Sequence, residues 1–188
     1  MSSDKAVSVT QDGQPDGFEV QTGWFRQVFP GGQTRLTVTA PAARLPEVHG
    51  ALVRALRGPL GVLYRQRVDR RHPVEGAPER DFVGLELTPA RVATAIERCR
   101  RLVYQDARHE LWIRDRDDAS VVLDGDGIIY VYPDDPSFRD ALAAAGVRED
   151  EQLTTMLDRD YVMHRFFAEL DEEEDALMAL LGLVPVGG

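Results

Sequence analysis

The feature that most constrains the fold is the run VVLDGDGIIYVYPDDP, Val121–Pro136. Two apolar segments flank Asp-Gly-Asp-Gly, and both residue types tolerate the left-handed backbone of a tight turn, so the run predicts a β-hairpin. Residues 128–132 are apolar on both alternating faces, which is typical of a buried central strand. Pro133 ends that strand, and Asp135 followed by Pro136 predicts a capped helix start. The chain therefore contains an antiparallel sheet with an interior strand.

The rest of the chain supplies more strands and two long helices. Alternating apolar residues and turn signals predict strands at 18–29, 34–40, 60–68, 81–87, 110–114 and 119–123. Helical spacing predicts helices at 45–57 and 88–104, the second beginning with Thr88 as N-cap. We predict an α+β fold: a mostly antiparallel sheet of about 6–7 strands, two long helices packed on it and a helical C-terminal segment.

Length and composition indicate a single domain. We expect residues 1–17, which are polar, to be a disordered tail, and residues 18–188 to form one α+β domain with a helical appendage at 148–188. The N-terminal residues lack the apolar segment of a signal peptide, and no apolar run is long enough for a membrane helix. Cys99 is the only cysteine, which excludes an internal disulfide. A cytoplasmic location is the resulting expectation.

The charge is strongly uneven along the chain. The formal net charge is −10, and residues 111–188 contain 6 basic and 19 acidic residues, a net charge of −13. Nucleic acids and anionic membranes both require positive potential, so neither is an expected partner. A basic protein partner fits this charge, because electrostatic attraction would speed their encounter.

Residues 121–127 also have the outline of the first motif of haloacid dehalogenase-type phosphatases, a hydrophobic strand followed by Asp-x-Asp-Gly. In such a site the first carboxylate attacks phosphorus and the second acts as acid and base, with magnesium between them. Ile128 replaces the hydroxyl residue that normally follows, and Lys5, the only lysine, lies in the N-terminal tail. Too few residues follow for the required βαβ units. Calcium-loop spacing fails as well, so the hairpin interpretation is preferred.

Two charged clusters are candidates for partner binding. The run 171–175 could be an acidic docking patch, or a helix start in which Asp171 is the N-cap and Glu174 completes a capping box. Arg65 and Arg67 share one face of a predicted strand and could bind an anion or a partner's carboxylates, or simply protect a sheet edge. The candidate partner-binding residues are Asp171, Glu172, Glu173, Glu174, Asp175, Arg65 and Arg67.

One pair of residues is a candidate metal site. Asp160 and His164 are spaced i, i+4 and would share a helical face, although no second histidine lies nearby. There is no P-loop and no Gly-rich dinucleotide fingerprint, so no cofactor is predicted.

We therefore expect a non-enzymatic, bacterial-type acidic interaction or regulatory protein, resembling in role an inhibitor or immunity protein that binds a basic partner. A hydrolase or transferase with a site assembled from distant Asp, His and Arg residues is the alternative. Homo-oligomerisation, with basic and acidic halves meeting across an interface, is a third hypothesis.

Overall fold

The computed structural model describes residues 5–69, 78–164 and 166–186. Two short 3-10 turns, Met156–Asp158 and Ala168–Leu170, accompany the regular elements. In chain order the elements are β1 (Ala6–Ser8), β2 (Gly23–Val28), β3 (Thr34–Thr39), α1 (Leu45–Ala55), β4 (Leu60–Gln66), β5 (Arg80–Leu87), α2 (Pro89–Arg98), α3 (Arg100–Gln105), β6 (His109–Asp115), β7 (Ser120–Leu123), β8 (Ile129–Tyr132), α4 (Pro136–Ala144), β9 (Tyr161–His164), α5 (Asp171–Leu181) and β10 (Val184–Pro185).

Eight strands form one antiparallel sheet in the order β10-β5-β4-β6-β7-β8-β3-β2, and β1 pairs with β9 in a separate two-stranded ribbon. The strand order combines two hairpins, β2–β3 and β4–β5, with the meander β6–β7–β8. The predicted α+β class and antiparallel sheet are confirmed. β8 lies between β7 and β3, so the strand predicted to be interior is interior.

Local signals fix several element ends as the sequence predicted. The Thr88 hydroxyl accepts a hydrogen bond from the Arg91 backbone N–H at 3.2 Å and so caps α2. Asp135 caps α4 in the same way, accepting from the Ser137 N–H at 2.9 Å. The helix predicted over 88–104 is interrupted at Cys99, and α3 follows it.

The helices pack on one face of the sheet and bury the main core there. Alternate strand residues such as Val38, Val62 and Ile113 point toward this face and are fully or almost fully buried. Helical residues including Leu52 and Leu177 cover them. No helix in the described parts of the chain is long and apolar enough to cross a membrane.

The N-terminal segment differs from its predicted disorder. Within residues 5–17, Ala6–Ser8 form β1, which pairs with β9, and Lys5 is only 1% exposed. The prediction of a tail failed because the residues that anchor this segment lie near the other end of the chain. Residues 1–4 of the predicted tail lie outside the described residues.

The C-terminal region is helical only in part. α5 is the predicted C-terminal helix, and it packs against α2 with Leu177 and Leu181 in the main core. Residues 161–164 were expected to be helical but form β9, because pairing with β1 outweighs their helical spacing. β10 then adds a short strand to the edge of the sheet beside β5.

Candidate functional site

The acidic run 171–175 opens α5 but does not form one exposed patch. α5 begins at Asp171 itself, with Leu170 at the N-cap and no side-chain capping hydrogen bond, so the capping-box interpretation was wrong. The shift of one residue turns Glu174 inward, where it is only 6% exposed.

Glu174 is the acceptor of a buried hydrogen-bond network. Its Oε1 accepts from the Tyr64 hydroxyl at 2.6 Å, and its two carboxylate oxygens lie 3.1 and 3.2 Å from the Gln66 amide nitrogen. Tyr64 also stacks on the buried ring of His109, with centroids 5.0 Å apart. This carboxylate therefore joins α5 to β4 and is not accessible to a partner protein.

The other carboxylates of the run divide between the protein and solvent. Glu173 accepts from a backbone N–H of α3 at 3.1 Å, and Asp171 lies 3.6 Å from the guanidinium of Arg108. Glu172 and Asp175 are exposed. Two of the five proposed docking residues thus remain displayed on the surface.

The arginine pair on β4 is matched by carboxylates of the same chain. Arg65 makes a bidentate ion pair with Asp81, with distances of 2.9 and 3.0 Å. This contact raises the pKa of Arg65 above its usual range and lowers that of Asp81. Arg67 lies 3.6 Å from Glu79 and 3.8 Å from Glu110. Neither arginine presents an uncompensated charge.

Asp160 and His164 do not share a helical face, because the backbone through residues 161–164 is a strand. The Asp160 carbonyl accepts the Val9 N–H at 2.8 Å, and its side chain is exposed. Across the described residues, no group of three His, Cys, Asp or Glu side chains is placed to hold a metal ion.

The Asp-Gly turn is the hairpin that the sequence predicted. Asp124 Oδ1 accepts from the backbone N–H groups of Asp126 and Ile128 at 2.9 and 2.8 Å, and Gly127 adopts a φ of 83°. Gly125 sits so close to the neighbouring loop that an added Cβ would lie 2.9 Å from the Ala107 carbonyl oxygen. The acidic turn is built for backbone geometry.

A buried ammonium group sits beside this turn. Lys5 Nζ donates to the carbonyl oxygen of Asp124 at 3.0 Å. The carboxylates that act on it electrostatically are, in decreasing order, those of Asp124, Asp106, Asp126 and Glu110. We call the buried position of the Lys5 side chain beside this turn the Lys5 slot.

Burial displaces the pKa values of the groups in and around the slot. It lowers the pKa of Lys5 to about 8, a shift that the surrounding carboxylates only partly oppose. It raises the pKa of Asp124 to about 6, with help from the charge of Asp126. Burial likewise raises the pKa values of Tyr130 and Tyr161 above the usual range. The slot is thus an ionisable cluster held in a poorly solvated place.

Within residues 5–69, 78–164 and 166–186, the sheet face opposite the helices is covered over only part of its width. Residues opposite one another in an antiparallel pair lie on the same face. On this face Ile128 and Tyr130 are covered by residues 5–20 and 156–161, which contribute Ala6, Phe18 and Met156. This small apolar cluster is separate from the main core.

The other part carries a shallow, mainly apolar groove of about 400 Å³, lined by residues of β4, β5 and β6 together with Asp118 and Ser120. Leu63 of β4 faces Trp112 on one side and Val83 on the other, and Val184 continues the row. Leu85 lines the groove and is 70% exposed, and Val184 is 62% exposed. We call this surface, consisting of Leu63, Val83, Leu85, Trp112 and Val184, the bare half of the sheet.

Sequence reasoning found neither the Lys5 slot nor the bare half. A lone lysine in a chain that otherwise uses arginine was the visible signal for the first. For the second, the signal was the apolar pattern on both faces of β4, β5 and β6. Comparisons of the chain with protein-family models, with curated proteins and with solved structures find no match.

Proposed function

We propose that this chain is a non-enzymatic, acidic interaction or regulatory protein that binds a basic partner protein through the bare half of its sheet. The observation that carries the proposal is the apolar groove itself, in which leucine, valine and tryptophan side chains lie together and partly exposed. Contiguous exposed apolar surface commonly marks an interaction site, whereas single exposed apolar residues do not.

The charges around the groove favour a basic or neutral partner over an acidic one. Arg65, at the rim beside Trp112, is matched by Asp81, and Arg114 is matched by Asp118. An acidic surface would meet no uncompensated arginine here, and the whole chain carries a net charge of −10. An apolar centre with a polar rim is the usual anatomy of a protein interface. An inhibitor-like or immunity-like role in the cytoplasm agrees with this chemistry.

The alternative, a hydrolase or transferase, would rest on the Lys5 slot, where an amine and a carboxyl group have displaced pKa values. Two observations make it the weaker proposal. Both residues are almost fully buried, and Asp124 Oδ1 is already bound to two backbone N–H groups. A third proposal, a second copy of the chain on the bare half, would give a homo-oligomer.

The test compares capture of partners by three purified full-length proteins: wild type, Leu85→Arg and Val28→Arg. Leu85→Arg places a positive charge in the groove, while Val28→Arg is a matched change at a 59% exposed valine on the far edge strand. Burying a leucine is worth about 1.5–3 kcal/mol, so Leu85→Arg should weaken partner binding by about tenfold or more.

The proposal is supported if wild type and Val28→Arg bind the same basic protein and Leu85→Arg binds it at least about tenfold more weakly. Added salt should release that protein. Binding that is equal in all three proteins would refute the use of the bare half. Self-association of wild type that Leu85→Arg abolishes would instead establish the homo-oligomer. Turnover of phosphate or ester substrates that depends on Asp124 would establish the enzyme.

A further inference from the structure

We propose that residues 5–20 form a detachable strap, and that the Lys5 slot is a second docking site that accepts a lysine from an extended segment of the basic partner in place of Lys5. This inference rests on the proposed function, because it names the chemistry by which the same partner would be recognised. The strap covers one part of the sheet face, and the bare half lies beside it.

The slot is built to accept an extended chain that carries one positive charge. Residues 6–8 enter as a strand paired with β9, and the Val9 N–H continues the contact by donating to the Asp160 carbonyl at 2.8 Å. The Lys5 ammonium then donates to the Asp124 carbonyl, and the negative charge of nearby carboxylates, that of Asp124 first, favours its protonated form. Backbone pairing supplies affinity in such strand addition, and the side-chain pocket supplies specificity. A partner's lysine-bearing segment would repeat these contacts.

The attachment of the strap is small compared with the main core. Its apolar contacts belong to the small cluster of Ala6, Ile128 and Met156, against which the partly buried Phe18 and Val20 also pack, and its strand pairing spans three residues. Polar contacts outside the strap are made with residues 159 and 160: Arg159 forms an ion pair with Asp16, and the Asp160 carbonyl accepts from the Val9 N–H. None of these contacts involves the main core, so the strap can open as a local unit while the helices and sheet stay folded.

The chain connecting β1 to the sheet can accommodate this opening. Residues 10–14 are exposed, and Gly13 and Gly17 both have φ values of 76° with open space around them. The Thr10 N–H donates to the Gln14 carbonyl and closes residues 10–14 as a turn, so this segment can move with the strap as one unit.

Opening of the strap can be followed by chemical labelling at single residues, because Lys5 is the only lysine of the chain and Cys99 its only cysteine. Acetylation of the Lys5 amine by an amine-reactive ester, followed by mass spectrometry, reports opening of the strap. Alkylation of the Cys99 thiol, buried in the main core, reports opening of the core in the same sample. Each rate is divided by the rate of the same group in denaturant.

We expect the protection factor of Lys5 to be at least about tenfold lower than that of Cys99, since local opening needs less free energy than global unfolding. Equal protection factors that fall together with denaturant would overturn the strap proposal. This measurement uses no partner protein, so the strap proposal can be refuted while the Leu85→Arg result still supports the bare half. The bare half can likewise be refuted while the strap proposal stands.

A second arm tests the slot with a defined probe, a fluorescein-tagged peptide with the sequence of residues 5–12. Its binding to full-length wild type and to Lys5→Gln is followed by anisotropy, with a control peptide in which methionine replaces the lysine. We expect tighter binding to Lys5→Gln, because its own strap competes less well, and at least about tenfold weaker binding of the control peptide. Equal affinities for the two peptides would overturn the slot as a lysine-specific site.

Discussion

Substitution of Glu174 by alanine should destabilise the protein strongly, although sequence analysis placed this residue in a possible surface patch. The carboxylate accepts hydrogen bonds from the Tyr64 hydroxyl and the Gln66 amide, both buried. A hydrogen bond to a charged group contributes about 1.5–3 kcal/mol, and losing the acceptor leaves the desolvation cost of each donor in place. We expect Glu174→Ala to lower the free energy of unfolding by about 3–5 kcal/mol.

Two further variants make this prediction specific. Glu174→Gln keeps an oxygen for the Tyr64 hydroxyl and should cost about 1–2 kcal/mol. Glu172→Ala removes an exposed acid from the same helical turn and should change stability by less than about 0.5 kcal/mol. Urea unfolding followed by circular dichroism gives all three values. If Glu174→Ala and Glu172→Ala lower the free energy of unfolding by the same small amount, Glu174 does not belong to a buried network and the run is a surface patch.

The remaining predictions concern pH and close packing. The pKa of Lys5 is about 8 in the folded protein, lower than in the unfolded chain. Unfolding therefore takes up a proton between about pH 8 and 10.5. Across this window the free energy of unfolding of wild type should rise by up to about 3 kcal/mol relative to that of Lys5→Met, measured by urea unfolding at both ends. Asp124, with a pKa of about 6, is already ionised there, and an unchanged difference between the two proteins would contradict the buried amine. Gly84→Ala would place a Cβ 2.8 Å from the Leu181 carbonyl oxygen and should lower the free energy of unfolding by about 1–3 kcal/mol. The Cβ of Gly61→Ala would meet its nearest atom at 3.5 Å, so this variant should lose less than about 1 kcal/mol. Equal melting temperatures for the two variants would refute the packing of α5 on β5.

The elements that sequence analysis predicted are those specified by neighbouring residues. The Asp-Gly hairpin, the Thr88 and Asp135 caps and the meander depend on turn and cap chemistry within a few positions, so their patterns are readable. The position of Glu174 shows the limit of such reading. A shift of one residue at the start of α5 changed a capping acid into a buried acceptor, because packing against β4 decides which side of the helix turns inward.

The features that escaped prediction depend on residues far apart in sequence. Lys5 donates to the carbonyl of Asp124, which lies far along the chain. β1 pairs with residues 161–164, whose apolar spacing fits a helix as well as a strand. No local signal distinguishes a polar tail from a strap that is anchored at the other end of the chain. The bare half was missed for a related reason. Apolar residues on both faces of a strand predict burial, and only the arrangement of helices shows which face stays uncovered.

The strand order has a consequence for how the chain assembles. β2 and β3 are among the first elements synthesised, yet β3 takes its place in the sheet only by pairing with β8, far along the sequence. Closing such a long loop is costly until β6, β7 and β8 already present an edge. We therefore expect the early hairpin to dock last, with φ-values near zero at Leu36 and Val38 and higher values in the meander. High φ-values at these two residues would place docking of the first hairpin in the folding nucleus instead.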